Sequence, residues 1–177
     1  GDARPRGVIW RLDTDGASTL NGPLLRPLFT HLIETYWHPY HHRVGNELGA
    51  LALEFGYAIL IAAHSMPSVG RAAHTDPGRR RADVVLGNRH GTSCDPRLTD
   101  WAKTHFERAG LSVAENDPYA GGFSTLRYGR PGDFIHALQI ELARDLYMDE
   151  ATLTFRPRDA RHLSRILEHL IESAPAL

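Results

Sequence analysis

Residues 57–70 read YAILIAAHSMPSVG. From Tyr57 to Ala63 every residue is apolar, with Gly56 before the run and Pro67 shortly after it. A buried helix needs about ten residues or more, so a run this short bounded by breakers is assigned to a strand covered on both faces. Strands of that kind belong to parallel sheets clothed by helices. The run ends on His64. In open α/β sheets ligands bind beyond the carboxyl ends of strands, so the histidine stands where chemistry is expected.

Working outward, the apolar positions Leu24, Leu25, Leu28, Phe29, Leu32, Ile33 and Tyr36 follow helical spacing. Pro39 is expected to end or kink that helix near Trp37 and His38. A second helical stretch carrying Val44, Leu48, Leu51 and Leu53 stops at Gly56, which suits a left-handed cap. Further helices are expected over Pro96–Ala109 and Asp159–Glu172, and further strands at Val8–Leu12, Asp83–Leu86, Leu111–Ala114 and Phe134–Leu142. The basic, Gly/Pro-rich residues 70–82 read as a mobile surface loop, with Arg71, Arg79, Arg80 and Arg81 solvated. Strands and helices alternate, which predicts one α/β domain over residues 1–177 with a mixed, mostly parallel sheet flanked by helices.

Composition narrows the function classes. A chain of 177 residues with 42% apolar content is long enough for one core. A net charge of −1 gives no electrostatic case for nucleic acid or an anionic membrane surface. No window approaches the ~18 apolar residues of a membrane span, and residues 1–7, GDARPRG, lack the apolar core of a secretory signal. The single cysteine, Cys94, excludes an internal disulfide framework and suits the cytoplasm. Its sequence context does not depress a thiol pKa, so a buried, incidental cysteine is expected.

Residues following the strands are the candidates for chemistry. Glu141 stands out, because a carboxylate in a buried strand is costly unless paired, neutral or near a cation. It either pairs with a nearby arginine such as Arg144, or acts with His64 on a metal-activated water. No HExxH or CxxC motif is present, and His38, His41 and His42 sit beside a proline kink where a structural role is the simpler reading.

The segments PYH (39–41), AHSMPS (63–68), VLGNRHGTSC (85–94), NDPYAGGF (116–123), RYGRP (127–131) and HALQIELARDLYMDE (136–150) resemble the N-formylglutamate amidohydrolases, in that family's order. The resemblance implies a zinc-carboxypeptidase-like fold and metal-dependent hydrolysis of N-formyl-L-glutamate to glutamate and formate, a step of histidine degradation. It makes His64 a zinc ligand and Glu141 the general base and acid. It places Asn116, Tyr119, Gly121 and Gly122 in a loop closing over substrate, and assigns Arg89, Arg127 and Arg130 to substrate carboxylates. The family carries the remaining metal ligands in an N-terminal Pro-His-Ser-Gly portion that this sequence does not show, and it places Asp where this chain has Ala62 and an acidic residue where it has Asn88. The expected partner is a small N-acyl amino acid. The alternatives are a non-catalytic or truncated member, or a hydrolase of another N-acyl amino acid.

Overall fold

The computed structural model describes residues 8–13 and 16–177; the readings of residues 1–7, 14 and 15 lie outside it. In chain order it forms α1 (Arg26–Leu32), a π-helical turn (Ile33–Trp37), α2 (His38–Phe55), β1 (Ala58–Met66), β2 (Val84–Gly87), α3 (Pro96–Arg108), β3 (Val113–Glu115), α4 (Phe123–Tyr128), β4 (Ile135–Ala143), a short hairpin of β5 (Met148–Asp149) and β6 (Thr154–Phe155), and α5 (Pro157–Glu172).

The main sheet has the order β1-β4-β2-β3. β1 runs parallel to β4 and β2 parallel to β3, whereas β2 and β4 are antiparallel. The sheet is therefore mixed and mostly parallel, as the alternation of elements predicts. Side chains alternate between its two faces. One face carries Val84, Leu86, Leu138 and Ile140, which pack with Leu98, Ala102 and Phe106 of α3 and with Ile166 and Leu170 of α5. The opposite face carries two smaller apolar clusters. Ala58 and Ile135 meet Leu48 of α2 and Tyr128 of α4 at one end. Met66, Val85 and Ala143 close the other end. Between those two clusters the sheet is polar, and the candidate site lies there.

Gly56 ends α2 in the left-handed conformation (φ 83°), its N–H donating to the Ala52 carbonyl, and the chain turns directly into β1.

Several expectations are corrected. Val8–Leu12 is not a strand; Leu12 makes only an isolated bridge with Ser18, and Val8 and Trp10 are exposed. Pro39 does not end the helix. The π-helical turn just before it widens the backbone spiral, His38 donates to the Ile33 carbonyl, and Pro39 falls in the first turn of α2, where its missing N–H leaves no bond broken. β1 is not covered on both faces: it lies at the sheet edge among the described residues, and its end Ala63–His64–Ser65 is exposed. The strand also continues through His64 to Met66 instead of ending at Ala63. β3 is likewise an edge strand.

Residues 70–82 are tied in rather than wholly solvated. Gly70 donates to Arg79, Gly78 donates to Gly70, and Val69 bridges to Arg80. The side chain of Arg81 is only 1% exposed and forks onto Asp76.

Candidate active site

The polar middle of the second face is built by parity. In the β1–β4 ladder His64 is the direct partner of Glu141 and Ala62 that of Gln139. In the β2–β4 ladder Val85 pairs with Glu141 and Gly87 with Gln139. Direct partners in neighbouring strands project on the same side, about 4.8 Å apart at the backbone. His64 and Glu141 therefore start side by side on one face of the sheet. Their surroundings differ: His64 is exposed, and Glu141 is 7% exposed.

Burial raises the Glu141 carboxyl to about 7, against the opposing pull of Arg81, Arg144 and a hydrogen bond from Gln139. That bond runs from Gln139 Nε2 to Glu141 Oε1 at 3.0 Å. Neither arginine forms an ion pair with the carboxylate, so the pairing with Arg144 does not form. A carboxyl that burial brings to about 7 can both take and return a proton at physiological pH.

The other end of the Gln139 amide anchors the NDPYAGG loop. Its Oε1 accepts the Gly122 N–H at 2.7 Å. The same loop rests on β2 at Gly87, where a Cβ would lie 2.6 Å from the Gly121 nitrogen. Arg89 joins it twice: its backbone N–H donates to Ala120 at 2.7 Å, and its guanidinium donates to the Gly121 carbonyl at 3.2 Å. Asn116 adopts a left-handed conformation (φ 58°) and bonds Asn88 in both directions, accepting from its N–H and donating to its Oδ1. Asn88, which the family resemblance expects to be acidic, is here part of that clamp.

Arg81 is a residue that sequence reasoning missed. It donates to the Pro67 carbonyl at 3.2 Å and the Tyr119 hydroxyl at 3.0 Å, and its guanidinium stacks 5.1 Å from the Tyr119 ring. The turn after β1, the 70–82 segment and the NDPYAGG loop thus share one cation. Its bonds hold the Asp76 carboxyl below the usual carboxylate range. The sequence holds no signal that separates Arg81 from Arg79 and Arg80; only the fold does.

Not every proposed residue comes together. Arg130 lies beside Ile135 at the start of β4, six residues and roughly 20 Å along the strand from Glu141, and pairs with Asp133 at 3.5 Å. Arg127 lies over the rings of Trp37, Phe123 and Tyr128. His41 is buried against Trp37 and Phe123 with Nδ1 2.7 Å from the Tyr128 hydroxyl, and burial lowers its pKa first, then Arg127 and His38. That is a structural histidine. Cys94 is buried, and its thiol is pushed up by burial, which leaves it inert as a nucleophile.

Among the described residues no group of three or more His, Cys, Asp or Glu side chains is placed to hold a metal ion. A catalytic zinc takes three protein ligands. His64 and Glu141 by themselves therefore do not make a zinc centre.

The model of the family described as N-formylglutamate amidohydrolase matches residues 2–148. The chain belongs to that family. An N-formylglutamate deformylase of Pseudomonas aeruginosa is 40% identical over 139 residues, covering 77% of this chain and 51% of the relative. One of Pseudomonas putida is 37% identical over 143 residues, covering 80% and 52%. The crystal structure of an N-formylglutamate amidohydrolase from Ralstonia eutropha superposes with a TM-score of 0.80 at 34% identity, over 93% of this chain and 59% of that one. A gene product of Agrobacterium tumefaciens shares the fold at a TM-score of 0.64 and 22% identity, over 92% of this chain and 61% of its own. The chain spans about half the length of the curated relatives it matches. The amidohydrolase match stops at residue 148, so α5 lies outside it.

Proposed function

We propose that this chain carries the proton-transfer face of an N-formylglutamate deformylase, hydrolysing the formyl amide to glutamate and formate. The observation that carries the reading is Glu141: a buried carboxyl poised near 7, in direct register with His64 at an exposed strand edge. Glu141 accepts a proton from water as it attacks the formyl carbon, and returns it to the departing amine. Gln139 orients the carboxyl through its amide N–H and fixes the NDPYAGG loop with the same group. That loop, held by Arg89, Asn116 and Tyr119, shelters the reacting amide from bulk water. Arg89, whose guanidinium reaches the Gly121 carbonyl of the loop, presents a charge suited to a glutamate carboxylate. Since the described donors do not complete a zinc site, a divalent ion at His64 would need ligands from outside them, and no step is assigned to it.

A non-catalytic relative is the rival reading, favoured by Ala62 beside Gln139 and by the incomplete donor set. Formate release from N-formyl-L-glutamate decides between them. The proposal expects activity in the 177-residue chain that falls at least about a hundredfold in Glu141→Gln. Full activity in that variant refutes the role of Glu141, and no activity in the unaltered chain, with and without added zinc, supports the rival.

A further inference from the structure

A cavity of about 580 Å³ lies away from Glu141, between α5, the turn Arg144–Leu146 and Leu111 at the approach to β3. That volume is in the range of small-molecule sites. Its floor is apolar: Leu111, Leu146, Leu163 and Ile166. Its rim is cationic: Arg158, Arg161 and Arg165, with His162. The three arginines recur at i, i+3 and i+7 along α5, so they form one stripe beside the apolar face that packs on the sheet. No side-chain hydrogen bond or ion pair engages any of the three among the described residues. The acidic lining residue, Asp159, is already matched by Arg156 at 3.3 Å. Three exposed, uncompensated guanidiniums around an apolar floor is an unusual surface in a chain whose net charge is −1. Three other surface arginines, by contrast, are paired: Arg79 with Asp117, Arg80 with Asp83 and Asp145, Arg97 with Asp95.

We propose that this cavity is a second ligand site, for a phosphate monoester carried on an apolar body. The apolar floor takes the body by burial. Guanidiniums bind phosphate oxygens bidentately, and three of them match a dianionic head group better than a single carboxylate. α5 packs on the face of the sheet opposite Glu141, Leu146 reaches round to the Met66, Val85 and Ala143 cluster, and none of the lining residues takes part in the hydrolytic chemistry.

The test is calorimetric titration of the 177-residue chain with 1-naphthyl phosphate, with inorganic phosphate and 1-naphthoate as comparison ligands. The expected result is saturable one-to-one binding of 1-naphthyl phosphate, at least about tenfold tighter than either comparison ligand. The Arg158→Gln/Arg161→Gln/Arg165→Gln variant loses about tenfold or more, with an unchanged circular dichroism spectrum because the three side chains are exposed. Glu141→Gln binds as the parent does. Absence of saturation by about 1 mM, equal binding of 1-naphthoate, an unaffected triple variant, or loss of binding in Glu141→Gln would each overturn the proposal.

Discussion

Glu141→Gln has a consequence for stability that is separate from catalysis. The parent carboxyl stands at about 7 in the folded chain and at its ordinary value of 4.5 in the unfolded one. At pH values below 4.5 it is protonated in both states and contributes no pH dependence. Between 4.5 and about 7 the unfolded chain releases the proton while the folded chain keeps it, so stability falls as pH rises. Above about 7 both states are ionised and the loss is constant. At about 1.4 kcal/mol per pH unit, the window is worth on the order of 3 kcal/mol. Glutamine keeps the shape and remains neutral throughout. The advantage of Glu141→Gln over the parent should therefore grow by about 3 kcal/mol between about pH 4 and pH 8. Urea unfolding followed by the fluorescence of the three tryptophans, with chelator present and repeated across that range, measures it. A difference between the two proteins that is flat with pH would refute the burial argument. A residue that weakens the fold at working pH is what a site kept for chemistry looks like.

Three other outcomes are expected. Gly87→Ala places a methyl 2.6 Å from the Gly121 nitrogen and 2.9 Å from the Ala120 carbon; the loop must lift, losing about 1–3 kcal/mol, and hydrogen exchange at Gly121 and Gly122 should rise. Leu138→Ala empties a fully buried position between β4 and the α3–α5 layer, and thermal unfolding should show a loss of about 2–5 kcal/mol. Arg81→Met leaves the Asp76 carboxylate, 7% exposed, with only the longer contact to Arg79 at 3.7 Å; a destabilisation of about 3 kcal/mol is expected by denaturant titration, and Arg81→Lys should recover only part of it because lysine lacks the fork.

The sequence disclosed what depends on local pattern. The helical spacing of α3 and α5, the Gly56 cap and the apolar runs of β1 and β4 all follow from periodicity and breakers, and those elements stand where expected. The antiparallel pairing of β2 with β4 was not legible, because nothing local records which strands become neighbours. The edge position of β1 was hidden for the same reason: Tyr57 to Ala63 is as apolar as a central strand. Pro39 misled because its effect depends on the five residues before it, which open the helix by a π turn. For the site, Glu141 and His64 were visible as polar residues on apolar strands, yet their adjacency is a matter of register. Gln139 shares parity with Glu141, but its double task of orienting the carboxyl and anchoring the loop depends on contacts that only the fold creates. Arg81 was indistinguishable from its neighbours until the fold buried it.

The alternation of β1 has a consequence for how securely His64 is aimed. On one side of the strand lie Ala58, Leu60 and Ala62, on the other Ile59, Ile61 and Ala63. The two sets are nearly equal in hydrophobicity, so greasiness alone hardly chooses between them. What fixes the phase is at the strand's ends: the Gly56 turn behind it, and Met66, 1% exposed, seated with Val85 and Ala143 ahead of it. Deleting Tyr57 would shorten that lead-in by a single step. The strand could then slide along β4 by one residue and keep an apolar face toward each layer, while His64 crossed to the side of α3 and α5. Spectroscopically the molecule would look intact. The imidazole and the carboxyl would be separated by the thickness of the sheet, and Met66 would leave its seat with Val85 and Ala143, so a loss of stability would accompany the failure of aim.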